Sequence, residues 1–230
     1  MLRFAFLGAV LCAVLVGGCG GDDGEADPTI VPIATSTTLA GRDTPLAAAT
    51  AWLDALSIGQ YPVADVVVVE EQFVLMLAVE SFSVELYEEL VSRGISEGVS
   101  RTFWESFSAG VRGFTGADIT EIELVGERRF TAGGNEYAEV AAVSPRGDLT
   151  VVTVRSPDGK WFVDLLATFG PSFAPLFNQW VDRLPPGAVA PRQALTNQRA
   201  SLEVARSRAL EAGAEEARLE LEALIARLSG

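Results

Sequence analysis

From residue 118 onward the spacing of apolar residues changes from three and four to two, and this change constrains the fold most. Four segments, "ITEIELVGERRF", "EYAEVAAV", "LTVVTVR" and "WFVDLLATF", read as strands. Short turn sequences, "AGGN", "SPRGD" and "SPDGK", separate them. Asp158-Gly159 is a strong hairpin signal, because glycine tolerates a positive φ. Four strands joined by three short turns make an antiparallel meander. Such a sheet needs one face covered, and the residues before it are helical in pattern. The expected class is α+β: N-terminal helices packed on a curved four-stranded antiparallel meander, with a long C-terminal helix after it.

The helical part begins at Thr44-Pro45, an N-cap followed by a proline suited to the first helical position. Leu46, Ala49, Leu53 and Leu56 recur at helical spacing with Trp52 beside them, and the pattern stops near Gly59. Residues 63–116 read as mostly helical. Four consecutive valines, Val66 to Val69, favour a buried strand within that stretch, while Phe73, Met76, Leu77 and Val79 sit in a helix-friendly background. Ser83 caps a further helix carrying Leu86, Leu90 and Val91, which Gly94 stops. Another carries Val99, Phe103, Trp104 and Phe107 and ends near Gly110. After the meander, "PSFAPLFNQWVDRL" reads as a short helix ended by Pro185-Pro186-Gly187. Residues 191–228 have the composition of a long helix and carry six arginines against six glutamates. That helix packs back on the domain, pairs with a copy of itself, or docks on another protein.

The first residues give an address. Met1-Leu2-Arg3 precedes a 13-residue uncharged run, residues 4–16, which fits a secretory signal and is too short to span a bilayer. Val16-Gly17-Gly18-Cys19 resembles the bacterial lipobox, in which small residues admit a peptidase and the cysteine thiol carries diacylglycerol. An ordinary cleaved signal with a stray cysteine is the plainer alternative. The lipobox resemblance implies a signal peptide at 1–18, a lipid-anchored flexible linker at 19–43 and lipidation of Cys19. It places the protein on the extracytoplasmic face of the cell membrane. The domain follows at 44–185, and the C-terminal helix at 186–230. Cys12 leaves with such a signal, so the mature chain has no disulfide and holds together by its core. The linker acids Asp22, Asp23, Glu25 and Asp27 lack calcium-loop spacing and read as solvated.

The net charge is −14, and losing Arg3 with the signal makes it −15. Lys160 is the single lysine and no basic stripe exists, which excludes nucleic acid as an expected partner. The anchor, rather than the acidic body, is the expected membrane contact.

"TPLAAATAWLDALSIGQYPVAD" resembles the opening helix of the nuclear-transport-factor-2-like superfamily, and "SPDGKWFVDLL" resembles its last hairpin and strand. The resemblance covers roughly residues 44–169 and implies a cone-shaped α+β half-barrel, often with a cavity between sheet and helices. Members serve as isomerases, dehydratases and binding modules, so the fold alone does not assign a function.

The chain has no histidine, which removes histidine acid–base chemistry, histidine triads and histidine metal sites. No cofactor or metal is expected. A carboxylate working with a tyrosine is the chemistry left, and ketosteroid isomerase is a known example of it. Asp54, Asp65, Asp164, Tyr61, Tyr87 and Tyr137 are the available groups. Asp164 stands out within "WFVDLL", where apolar surroundings raise a carboxyl pKa; a place on the solvent face or beside an arginine is the bland alternative. Trp52, Trp104 and Trp161, with Asp164, are the candidate cavity residues, and plain core is the alternative for the tryptophans. Arg146-Gly147-Asp148 matches an adhesion tripeptide and, more simply, a hairpin turn. Three functions follow as expectations. The leading one is a membrane-anchored binding or scaffolding module of the cell envelope. The others are a carrier or sensor of a small apolar ligand, and a carboxylate-dependent isomerase or dehydratase.

Overall fold

A computed structural model describes residues 40–115, 117–145 and 147–229. Cys19, the signal, the linker acids and Arg146 lie outside the described residues. The chain is α+β, with a four-stranded antiparallel sheet in the order β1-β2-β3-β4.

Helix α1 (Pro45–Ser57) starts where the sequence says it starts. The Thr44 hydroxyl accepts from the Ala47 N–H, and Pro45 occupies the first turn. A short α2 (Tyr61–Asp65) leads to the four valines, which form neither strand nor helix. Val68 makes a single parallel bridge to Val163, and Val69 caps α3 (Glu70–Ser81). All eight residues from Gln72 to Val79 are buried, so α3 is enclosed on every side. The Ser83 hydroxyl caps α4 (Val84–Arg93), and Gly94 closes it at φ +79. Val91, expected on the inner face, is exposed, and Tyr87 is buried there instead. Helix α5 (Glu97–Thr115) runs one turn past Gly110.

The meander forms with the turns in the expected places: β1 (Glu123–Ala132), β2 (Asn135–Ser144), β3 (Gly147–Arg155) and β4 (Trp161–Val163). Both sides of β2 are covered. Ala138 packs with Ala48 of α1 and Trp161. Its neighbour Tyr137, on the opposite face, packs with Val152 and with Ala167 and Val204 from later helices.

The largest departure from the sequence reading is at "WFVDLLATF". The strand stops after three residues. Asp164 is the N-cap of a 19-residue helix, α6 (Leu165–Arg183), which absorbs the segment expected as a separate short helix. Leu165, Leu166 and Ala167 are all fully buried in succession, which a one-sided strand does not allow. The C-terminal segment is helical as expected but folds as three pieces: α7 (Val189–Asn197), α8 (Arg199–Glu211) and α9 (Glu215–Arg227). Gly213, at φ +67, lies in the turn between α8 and α9. Leu195, Leu202, Leu221 and Leu224 are fully buried. These leucines belong to the chain's own core, where α8 and α9 pack on α6, the first of the three expected arrangements.

Candidate functional site

Asp164 is fully buried, so a solvent-facing position does not describe it; it accepts directly from backbone and serine, and Arg208 feels its charge without a direct bond to it. Its place follows from the chain. At the junction of β4 and α6 the first-turn amides need an acceptor, and the Asp164 Oδ1 accepts from the Ala167 N–H at 2.7 Å. Its Oδ2 accepts from the Ser201 hydroxyl of α8 at 2.6 Å. Ser201 Oγ also accepts from the Gln72 side-chain amide of α3 at 3.2 Å, and it lies 3.5 Å from the Tyr137 hydroxyl of β2. Gln72 is itself 1% exposed; its Oε1 accepts from the Leu166 N–H, and its Nε2 donates to Gln198 Oε1. Thr168 donates to the Asp164 carbonyl and accepts from the Val152 N–H. One buried polar cluster therefore joins α3, β2, β3, α6 and α8.

Burial pushes the Asp164 carboxyl above its ordinary range, against the opposing pull of its hydrogen-bond donors. Burial also raises the Tyr137 hydroxyl, and the Asp164 charge adds to that rise. Asp164, Ser201 and Tyr137 form a carboxylate–hydroxyl–phenol series, the chemical types expected for acid–base work. Their geometry is that of a structural joint. Both carboxylate oxygens are engaged, and no surface of Asp164 meets solvent.

The tryptophans divide. Trp52 and Trp104 meet edge to face at 6.2 Å, in a cluster with Phe73, Phe103, Phe107 and Phe169. Trp161 lies apart with Ala48 and Ala138, under the Arg129 guanidinium at 5.3 Å. Trp104 donates its indole N–H to Asp65 at 2.7 Å, and Ser100 donates to the same carboxylate. Partial burial raises the Asp65 carboxyl despite these donors. Two of the surface depressions among the described residues bear on these candidates. One, of about 460 Å³, is lined by residues including Tyr61, Glu105, Ser108 and Arg112; the other, of about 350 Å³, by residues including Arg128 and Glu139. None of Trp52, Trp104, Trp161 or Asp164 lines either.

Sequence reasoning singled out Asp164 but missed Gln72, Gln198 and Ser201. Gln72 and Ser201 are 129 positions apart, and no local pattern links them. The one available signal was a lone glutamine inside "EEQFVLMLAV". Among the described residues no group of histidine, cysteine or carboxylate side chains is arranged to hold a metal ion. No described helix is long and apolar enough to cross a membrane. The chain matches no family profile, no curated protein and no solved structure.

Proposed function

We propose that this protein is an exported module anchored by lipid on Cys19 at the outer face of the cell membrane, where its domain binds or scaffolds other envelope components. The observation that carries the reading is the placement of Cys19. It follows two glycines at the end of a 13-residue uncharged run and precedes an acidic, glycine-rich linker. Several features are compatible with that role. The domain is acidic, with −15 on the mature chain, so it stands off from anionic head groups and leaves the anchor as the contact. It needs no disulfide, because its aliphatic and aromatic core is continuous through α1, α3, α5, α6, α8 and α9. The enclosed Asp164 and the packed tryptophans give no support to a ligand carrier or a carboxylate-dependent isomerase.

The test is fractionation of cells that make the full chain. The native sequence stays with membranes after a carbonate wash, and Cys19→Ala appears in the soluble exported fraction. Retention of Cys19→Ala on washed membranes overturns the anchor.

A further inference from the structure

The two edges of the sheet are treated differently. The edge at β4 is covered: Arg42 bridges Trp161, and Val68 bridges Val163. The edge at β1 is ten residues long, and among the described residues nothing pairs with its outer side. Most of β1 is exposed.

The hairpin turn sets which backbone groups face outward. Gly133 and Gly134 both have positive φ, at +56 and +83, as a two-residue turn of the primed type requires. Such a turn places Ala132 opposite Asn135 as a hydrogen-bonded pair. The alternation then points the N–H and C=O of Phe130 and Arg128 toward β2, and those of Thr131, Arg129 and Glu127 away from it. A register irregularity between Leu124 and Gly126 ends the regular part of the edge, which leaves residues 126–132 as a straight strand of roughly 24 Å.

The charges along this strand are self-complementary. When a second β1 lies antiparallel about Arg128, Glu127 of each copy stands opposite Arg129 of the other. These are the outward-pointing residues, so their backbones form the hydrogen-bonded pairs. Their side chains share the sheet face, 28% and 50% exposed, and already pair within the single chain at 2.9 Å, so the second copy brings two such pairs together as an alternating cluster of four charges. The two Arg128 residues meet on the axis, each already neutralised by Glu139 of its own chain at 2.6 Å. Charged side chains on an edge strand oppose association where like charges meet directly. This one carries Glu-Arg-Arg in an order that matches its own reverse.

We propose that a second copy of this chain docks on the β1 edge, so that two four-stranded sheets join as one eight-stranded sheet about a two-fold axis through Arg128. The interface is isologous, built from Glu127–Arg129 pairs and the backbone between them. It is independent of the lipid anchor and of the C-terminal helices.

The register makes the test specific. Arg128 faces its own copy in a non-hydrogen-bonded pair, with Cα atoms about 4.5 Å apart, a distance that admits a disulfide. Thr131 residues of the two copies lie about 20 Å apart. Both side chains are exposed, so either replacement leaves the fold intact. The full chain carrying Arg128→Cys or Thr131→Cys is oxidised in its own membranes, with the parent chain, whose sequence holds Cys12 and Cys19 as its two cysteines, as the control. Arg128→Cys gives a covalent dimer, at least about tenfold above both Thr131→Cys and the parent. No crosslink from Arg128→Cys, or equal crosslinking from Thr131→Cys, overturns the proposal. In native mass measurement of the same chain, Arg129→Pro removes an outward N–H and returns the dimer to monomer without touching the β1–β2 ladder. A dimer that survives Arg129→Pro contradicts the edge as its site. A strand from another protein, or from residues before 40, in place of the second copy gives the Arg128→Cys variant no homodimer.

Discussion

Asp164 caps a helix and accepts from Ser201 in a site closed to water, and its removal costs on both counts. Asp164→Ala loses the cap and leaves the buried Ser201 hydroxyl without its acceptor, so it destabilises by about 2–4 kcal/mol. Asp164→Asn keeps an acceptor for Ala167 and falls within about 1.5 kcal/mol of the native chain. The native chain also differs from both variants with pH. The folded-state carboxyl pKa is raised, so the site stabilises most while the carboxyl is protonated in both states, below the unfolded value of about 3.9. That contribution is lost as pH rises through the folded value. Asp65, raised for the same reason, acts in the same direction. Urea unfolding from about pH 4 to about pH 8 therefore shows a steeper loss of stability for the native chain than for Asp164→Asn. Parallel curves contradict the enclosed carboxyl. The sequence showed that Asp164 sat among apolar residues; the serine and glutamine that hold it come from helices far along the chain.

The element most altered from its sequence reading is α6, and the reason is physical. Helix α6 contains Pro171 and Pro175, residues that normally end a helix. Pro171 has no N–H for the carbonyl of Ala167, and Arg208 of α8 supplies the missing donor, its Nη1 lying 2.7 Å from that oxygen. Arg208 also reaches the Thr150 carbonyl of β3 and pairs with Glu139. A tertiary contact thus satisfies a helix that the local sequence does not favour, and this is why a strand reading was natural from sequence alone. Arg208→Met costs about 2–3 kcal/mol in denaturant unfolding, and the same change costs less in a Pro171→Ala background, where the helix regains its own donor. Equal costs in the two backgrounds sink this explanation. Gly170 serves the same crossing. A Cβ there meets the Ala205 Cβ at 2.8 Å, so Gly170→Ala destabilises by about 1–3 kcal/mol, read as a lower melting temperature. The elements whose signals are local, namely the Thr44 cap of α1, the Ser83 cap and Gly94 stop of α4, and the two-residue turn at Gly133-Gly134, lie where the sequence put them. Those set by distant contacts, α6 and the broken C-terminal segment, do not follow the sequence reading.

At the scale of the whole molecule, Leu195, Leu202, Leu221 and Leu224 of the C-terminal helices are buried in the chain's own core, while the β1 edge stays exposed among the described residues. The candidate cavity of the sequence reading resolves into two separate packed places, one around Trp52 and Trp104 and one around Trp161, with Asp164 in a polar joint of its own. The mature chain of the proposed lipoprotein carries no disulfide, so a reductant leaves its unfolding midpoint unchanged; a lower midpoint under reduction points to a crosslinked thiol. The central claim concerns Cys19, and the intact mass of the protein purified from its own membranes tests it most directly. A chain beginning at Cys19 and carrying the added mass of a diacylglycerol, with or without a further acyl chain, is the predicted result. A chain that begins elsewhere, or that carries an unmodified Cys19, contradicts the lipid-anchored module.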